Sequence, residues 1–331
     1  MWTAASLWLV SVAALAGYAT FAARSIAHGG NPAAWVAGAL LAYFAAIALL
    51  CASYFAISWF WRARRPAAVR LGPRGTLRLW WREYLTLAGA PPRLMLYALL
   101  VPDPAPARVD VPVLLVHGVL CNAGVWVRLA RYLRRRGVGG LYSISYGPPL
   151  ASIETFADQL ARKLDAIVAA TGAPRVIVVA HSMGGLVTRA YQRKYGSGRI
   201  ARVLTIGSPH HGSVLAWFFP GLSLAQMRPG SAWLVALNRE ALDPALRFVS
   251  LWSWHDSMVA PQTSSELPGA VDVALAGIGH NALLGDADVF AFVLDEIESA
   301  RRMPGRGTAC ERQGAAAGAS PATARRDTCS E

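Results

Sequence analysis

The sequence predicts an α/β protein: a mostly parallel sheet with helices on both faces, preceded by two membrane-spanning helices. Three observations carry this expectation. After residue 112, short β-branched apolar runs alternate with segments of helical pattern, the rhythm of a parallel sheet covered on both sides. Near the start, Trp2 to Ala23 and Ala33 to Trp61 carry no charge. The hexapeptide Ala180-His181-Ser182-Met183-Gly184-Gly185 follows an apolar run and opens a helical one.

Composition supports a membrane location for part of the chain. Of 331 residues, 54% are apolar and 15% charged, against about 25% charged in an average soluble domain. Mean hydropathy is +0.35, which excludes disorder over most of the length. Lys+Arg 32 against Asp+Glu 19 gives a net charge of +13, and only Lys163 and Lys194 are lysines. Four Cys make no disulfide framework, and no CxxC pair is present to hold zinc. His, Asp and Glu do not cluster at ligand spacing, so neither a metal nor a cofactor is expected.

Residues 1–65 read as a transmembrane helical hairpin. Each uncharged stretch exceeds the about 20 residues that a bilayer core requires. Between them, Gly29, Gly30 and Pro32 end one helix and reverse the chain. A cleaved leader fits less well, because the start carries no Lys or Arg. Trp59, Phe60 and Trp61 form an aromatic belt at the exit. Arg62, Arg64, Arg65, Arg70, Arg74, Arg78 and Arg82 follow, whereas the hairpin loop offers Arg24. The positive-inside rule then puts the rest of the chain on the cytoplasmic side of a bacterial inner membrane. On the opposite side, Cys310 and Cys329 would become a possible pair.

Residues 66–112 form a basic juxtamembrane segment and a Pro-rich linker. Leu77 to Leu87 mixes apolar and basic residues. It suits either an interfacial helix against anionic head groups or an amphipathic helix packed on the next domain. The basic charge has no nucleic-acid motif beside it, so no nucleic-acid partner is expected.

Residues 113–302 supply the sheet. Strands are expected at Val113–Val116, Leu141–Ser145, Arg175–Ala180, Ile200–Ile206, Leu246–Ser253 and Val271–Ala276. Helices are expected at Val125–Arg136, Ser152–Ala170 (Ser152 capping, Gly172 ending), Met183–Tyr195 and Asp286–Arg302. Residues 303–331, rich in Gly, Ala, Ser, Thr and Arg, read as a disordered tail.

The hexapeptide carries the chemistry. A sharp strand-to-helix turn exposes a serine hydroxyl at the carboxyl end of a sheet, and small residues on either side let strand and helix pass closely. Ser182 would also sit at a helix N-terminus, which favours developing negative charge. Residues 113–300 resemble α/β-hydrolase lipases and esterases, in particular bacterial triacylglycerol lipases. The resemblance rests on Leu115-Val116-His117-Gly118, on the hexapeptide, and on Ile206-Gly207-Ser208-Pro209-His210-His211-Gly212. The family's usual Gly two before the nucleophile is Ala180 here, as in small bacillus-type lipases.

The resemblance implies an α/β-hydrolase fold and a Ser-acid-His chain order. His280 would follow the last strand as general base, and Asp256, in a segment similar to the family's Asp-x-x-Val-x-Pro, would orient it. His210 and His211 match the Pro-His-His-Gly segment, and His255 abuts the acid. Asp243 and Asp272 lie at the wrong end of the sheet. By resemblance, Val119 and Met183 N–H form the oxyanion hole. An insertion at about 209–243 reads as a cap, with Trp217, Phe218 and Phe219 as an acyl-binding wall or as core packing. The expected function is a membrane-anchored serine hydrolase acting on lipid or other lipophilic acyl esters. Acyl transfer or thioester hydrolysis by the same triad stays open, as does a non-catalytic membrane scaffold.

Overall fold

The computed structural model describes residues 2–302. The two uncharged stretches are helices α1 (Trp2–Ala27) and α2 (Pro32–Phe60). The Asn31 side chain accepts from Ala33 N–H, and Pro32 occupies the first turn, where no N–H is needed. Both helices are long and apolar enough to cross a membrane and are almost wholly exposed; the core helices of a soluble protein would be buried. Both ends of the hairpin return to the rest of the protein. Thr3 Oγ1 donates to the Cys121 carbonyl at 3.0 Å, and Ser58 Oγ donates to the Asp256 carbonyl at 3.0 Å.

Three short helices follow: α3 (Pro73–Ala88), α4 (Ala90–Met95) and α5 (Tyr97–Leu100). Of the two sequence expectations for Leu77 to Leu87, α3 adopts the packed one on one face, burying Leu79, Glu83 and Tyr84. Its other face leaves Leu77, Trp81 and Leu85 exposed.

The remaining elements are β1 (Val113–Val116), α6 (Val127–Arg135), β2 (Leu141–Ile144), α7 (Ile153–Thr171), β3 (Val176–His181), α8 (Met183–Tyr195), β4 (Ile200–Ile206), α9 (Leu222–Met227), α10 (Ala232–Arg239), β5 (Phe248–Ser253), β6 (Val271–Leu275) and α11 (Ala287–Arg302). The six strands form one sheet in the order β2-β1-β3-β4-β5-β6, with every pairing parallel. Alternate residues serve opposite layers, as a period of two requires. Leu114, Val116, Val178 and Ala180 enter the core with α7 and α8. Leu115, Ile177 and Val179 enter the core with α6 and α11.

The capping signals hold at α7: Ser152 Oγ accepts from Glu154 N–H, and Gly172 ends the helix at φ +73°. The helix expected over Val125–Arg136 starts later. Asn122 caps a 3₁₀ turn at Ala123–Trp126 before α6 begins. Gly124 there lies so close to the Arg93 carbonyl that a Cβ could not fit. The tail expectation and the Cys310–Cys329 pairing fall on residues 303–331, outside the described residues.

Candidate active site

Ser182 lies between β3 and α8 with φ +55° and ψ −128°. A non-glycine residue in that region is strained, and such strain persists only where the surroundings impose it. Three glycines make the turn possible. A Cβ on Gly118 would meet Ser182 Cβ at 2.9 Å, and one on Gly184 would meet the Val116 carbonyl oxygen at 2.5 Å. One on Gly185 would collide with Ser208 Oγ. Strand β1, its following loop and α8 are therefore drawn together around the hydroxyl.

His280 and Asp256 come from the loops after β6 and β5. His280 Nδ1 stands 2.8 Å from Asp256 Oδ2, both residues being buried. Asp256 Oδ1 is held by the N–H groups of Met258 (2.8 Å) and Val259 (2.7 Å). The carboxylate can thus present only Oδ2 to the ring. Burial disfavours the His280 imidazolium, but the charge and hydrogen bond of Asp256, and then the charge of Glu83, outweigh it and raise the pKa above the ordinary histidine value. Ser182 and His280 line the same cavity, and no hydrogen bond joins their side chains among the described residues. Such contacts often tighten only in the substrate complex.

The other histidines have different work. His117 stacks on Tyr146 and is pushed down to about 4 by burial. His255 Nδ1 accepts from Gly277 N–H at 3.0 Å, and His210 is fully buried beside Thr205. Val119 lines the cavity, and neither its N–H nor that of Met183 is bonded to another backbone group among the described residues. Leu120 beside it takes φ +54°. Two strained non-glycine residues therefore border one cavity.

The cavity walls are mostly apolar and include Leu215, Ala216, Phe219, Leu224, Met227 and Met258. Of the three aromatic cap residues, Phe219 lines the cavity. Trp217 and Phe218 face outward, 59% and 54% exposed, and Phe218 meets Trp61 edge-on at 6.2 Å between centroids.

Two contributions come from segments outside the sheet domain. Tyr54 of α2 lines the cavity, and Ser58 and Gln262 both donate to the Asp256 carbonyl at 3.0 Å. Glu83 of α3, fully buried, accepts through Oε1 from Ser257 Oγ (2.8 Å), Asn281 N–H (3.0 Å) and Asn281 Nδ2 (2.8 Å). Its Oε2 accepts from Ala282 N–H (2.9 Å). The turn carrying His280 is thereby clamped from α3. One sequence signal pointed there: Glu83 is the only acidic residue before Asp103. No group of three or more His, Cys, Asp or Glu side chains placed to hold a metal ion occurs among the described residues.

A strained serine at a strand–helix turn, a buried His–Asp pair and unbonded N–H groups at one cavity define the architecture of an α/β hydrolase. A family model described as alpha/beta hydrolase fold matches residues 111–277, half of the chain, and the chain belongs to this family. It is 43% identical over 61 residues to triacylglycerol lipases of Pseudarthrobacter phenanthrenivorans and Burkholderia plantarii. Those alignments cover 18% of this chain and 19% and 17% of the relatives, so the chain spans under a fifth of the length of the curated relatives it matches. Among solved structures, lipase B of Aspergillus fumigatus is similar over 57% of this chain and 52% of its own, at 20% identity and a TM-score of 0.51. A Bacillus licheniformis lipase is similar over 60% of this chain and 94% of its own, at 19% identity and a TM-score of 0.49. At 20% identity the likeness to the Aspergillus fumigatus lipase is one of fold.

Proposed function

We propose that this protein is a membrane-anchored serine hydrolase that cleaves carboxylic esters of lipophilic acids. The observation that carries this reading is the convergence of Ser182 and the Asp256–His280 pair, joined at 2.8 Å, on one apolar cavity. Ser182 Oγ attacks the ester carbonyl as His280 Nε2 takes its proton. Val119 and Met183 N–H hold the oxyanion. The alcohol departs with the proton from His280, leaving an acyl-enzyme. Water, deprotonated by His280, then releases the acid and free Ser182. Asp256 keeps Nδ1 protonated and stabilises the imidazolium throughout.

Two features support a lipophilic substrate. The cavity wall is apolar, and one of its residues, Tyr54, belongs to a helix apolar enough to span a bilayer. The triacylglycerol lipase relatives agree with this class. The arginines that follow α2, from Arg62 to Arg82, favour a cytoplasmic position for the catalytic domain.

The test is fluorophosphonate labelling of membranes carrying the full chain or Ser182→Ala, with hydrolysis of p-nitrophenyl esters of increasing acyl length. Wild type should label and Ser182→Ala should not, with rates rising toward longer chains. Folded wild type that fails to label would overturn the reading. Gly118→Ala provides a second check. Its methyl would press on Ser182 Cβ and displace the Val119 N–H. The loss of one oxyanion donor, ~2.7–4 kcal/mol, corresponds to a fall in kcat of about 10²–10³, read with a soluble ester.

A further inference from the structure

A second concave site lies away from the catalytic cavity, between α3, α4 and α6. Four guanidinium groups line it: Arg82, Arg93, Arg128 and Arg131. It shares no residue with the catalytic cavity. We infer that this groove binds the phosphate head group of an anionic glycerophospholipid. The inference rests on α1 and α2 lying in a bilayer and is independent of the esterase reading.

The charges in the groove are unbalanced. Asp286 pairs with Arg82 at 2.5 Å, and its other oxygen accepts N–H groups at the start of α11. Arg93 donates to the Thr86 and Gly89 carbonyls at 2.6 and 2.7 Å, which fixes its guanidinium without neutralising it. Arg128 and Arg131 have no ion pair among the described residues. Burial, and then the charge of Arg128, lower the Arg93 pKa. Like charges held in one concavity favour an anion, and guanidinium forks match the oxygens of a phosphate.

The position of the groove selects a lipid as the source of that phosphate. One residue before Gly89 of its lining, the Ala88 carbonyl accepts from Tyr43 of α2 at 2.5 Å. Two residues after Arg93, the Met95 carbonyl accepts from Trp8 Nε1 of α1 at 3.4 Å. Both contacts seat the groove against helices apolar enough to cross a membrane. Leu85 on the groove, and Leu96 and Leu99 just beyond α4, are exposed. Head-group charge and adjoining acyl chains would therefore both find complementary surface.

The test uses the purified full chain in neutral detergent. Binding of phosphatidylglycerol and of phosphatidylcholine is measured by native mass spectrometry for wild type and for Arg128→Gln/Arg131→Gln, with inorganic phosphate as competitor. Wild type should prefer phosphatidylglycerol, and the double variant should lose about thirtyfold of its affinity for that lipid, from the loss of two exposed guanidinium–phosphate pairs. Hydrolysis of a soluble ester should be unchanged and reports folding. Should the double variant lose that activity, Arg131→Gln alone, at an exposed residue, should weaken phosphatidylglycerol about fivefold. Equal binding of the two lipids by wild type would overturn the inference, as would undiminished phosphatidylglycerol binding in a folded variant. Displacement of the lipid by millimolar inorganic phosphate would assign the site to free phosphate instead.

Discussion

Asp256→Asn will lower kcat/KM for ester hydrolysis by about 10⁴, the effect of the same change in a Ser-His-Asp triad. The reason lies in the hydrogen bonds of this carboxylate. Oδ1 accepts two backbone N–H groups, from Met258 and Val259. The asparagine oxygen must take that position, because an amide NH₂ there would face two donors. The NH₂ is then forced toward His280 Nδ1, now 2.8 Å from Oδ2. A donor at that point requires Nδ1 to be unprotonated, so the proton moves to Nε2. That tautomer cannot accept the Ser182 proton. The fold itself should survive, since the side chains are isosteric. The pH profile supplies a second readout. His280 must be neutral to act as base, so activity falls with acid through its pKa. Burial lowers that pKa, and Asp256 and Glu83 raise it. Removing the Asp256 charge should move the acid limb of the residual activity to lower pH. A decrease of less than tenfold in kcat/KM, with the limb unmoved, would remove Asp256 from the mechanism.

What the sequence revealed and what it concealed divide along sequence separation. Strands β1 and β3 announced themselves because each is buried on both faces and apolar almost throughout, whereas the edge strand β6 is largely exposed and was legible from its β-branched residues. Ser182 was legible because its turn needs small neighbours, and these are contiguous in the chain. Asp256 and His280 could be named only through the chain order of the resembled family, since 24 residues separate them and no local pattern links them. Glu83 bonds Asn281 across a separation of 198, and Ser58 bonds Asp256 across 198. Nothing in the residues near either member reveals such a contact. The apolar density at Trp217, Phe218 and Phe219 indicated a cap, but one 3₁₀ turn, Val214–Trp217, is too short to give a period from which to choose the inward residue. Only Phe219 faces the cavity.

Glu83→Gln will reduce kcat about tenfold to a hundredfold while leaving KM for a soluble ester nearly constant. Glu83 receives four hydrogen bonds from the turn that carries His280 and from Ser257, which itself accepts from His280 N–H at 3.4 Å. Glutamine can keep its oxygen toward the three donors at Oε1. Its NH₂ must then confront the Ala282 N–H that Oε2 now accepts. The turn has to move to relieve that contact, and a displacement of about 1 Å at a catalytic group can cost about 10²-fold. Glu83→Ala is the harsher change, because it strands buried donors at about 1–3 kcal/mol each, and unfolding would confound it. Two readouts separate positioning from general stability. Loss of the Glu83 charge should shift the acid limb of kcat/KM to lower pH, the direction opposite to its present influence on His280. Glu83→Asp should hold the charge near the ring but not reach all four donors, so it should restore the limb more fully than the rate. If Glu83→Gln leaves both kcat and the acid limb at wild-type values, the clamp is packing alone. If it behaves as expected, α3 is part of what sets His280 for the proposed reaction, and the hydrolase domain cut away from residues 1–112 should be slow even on soluble esters.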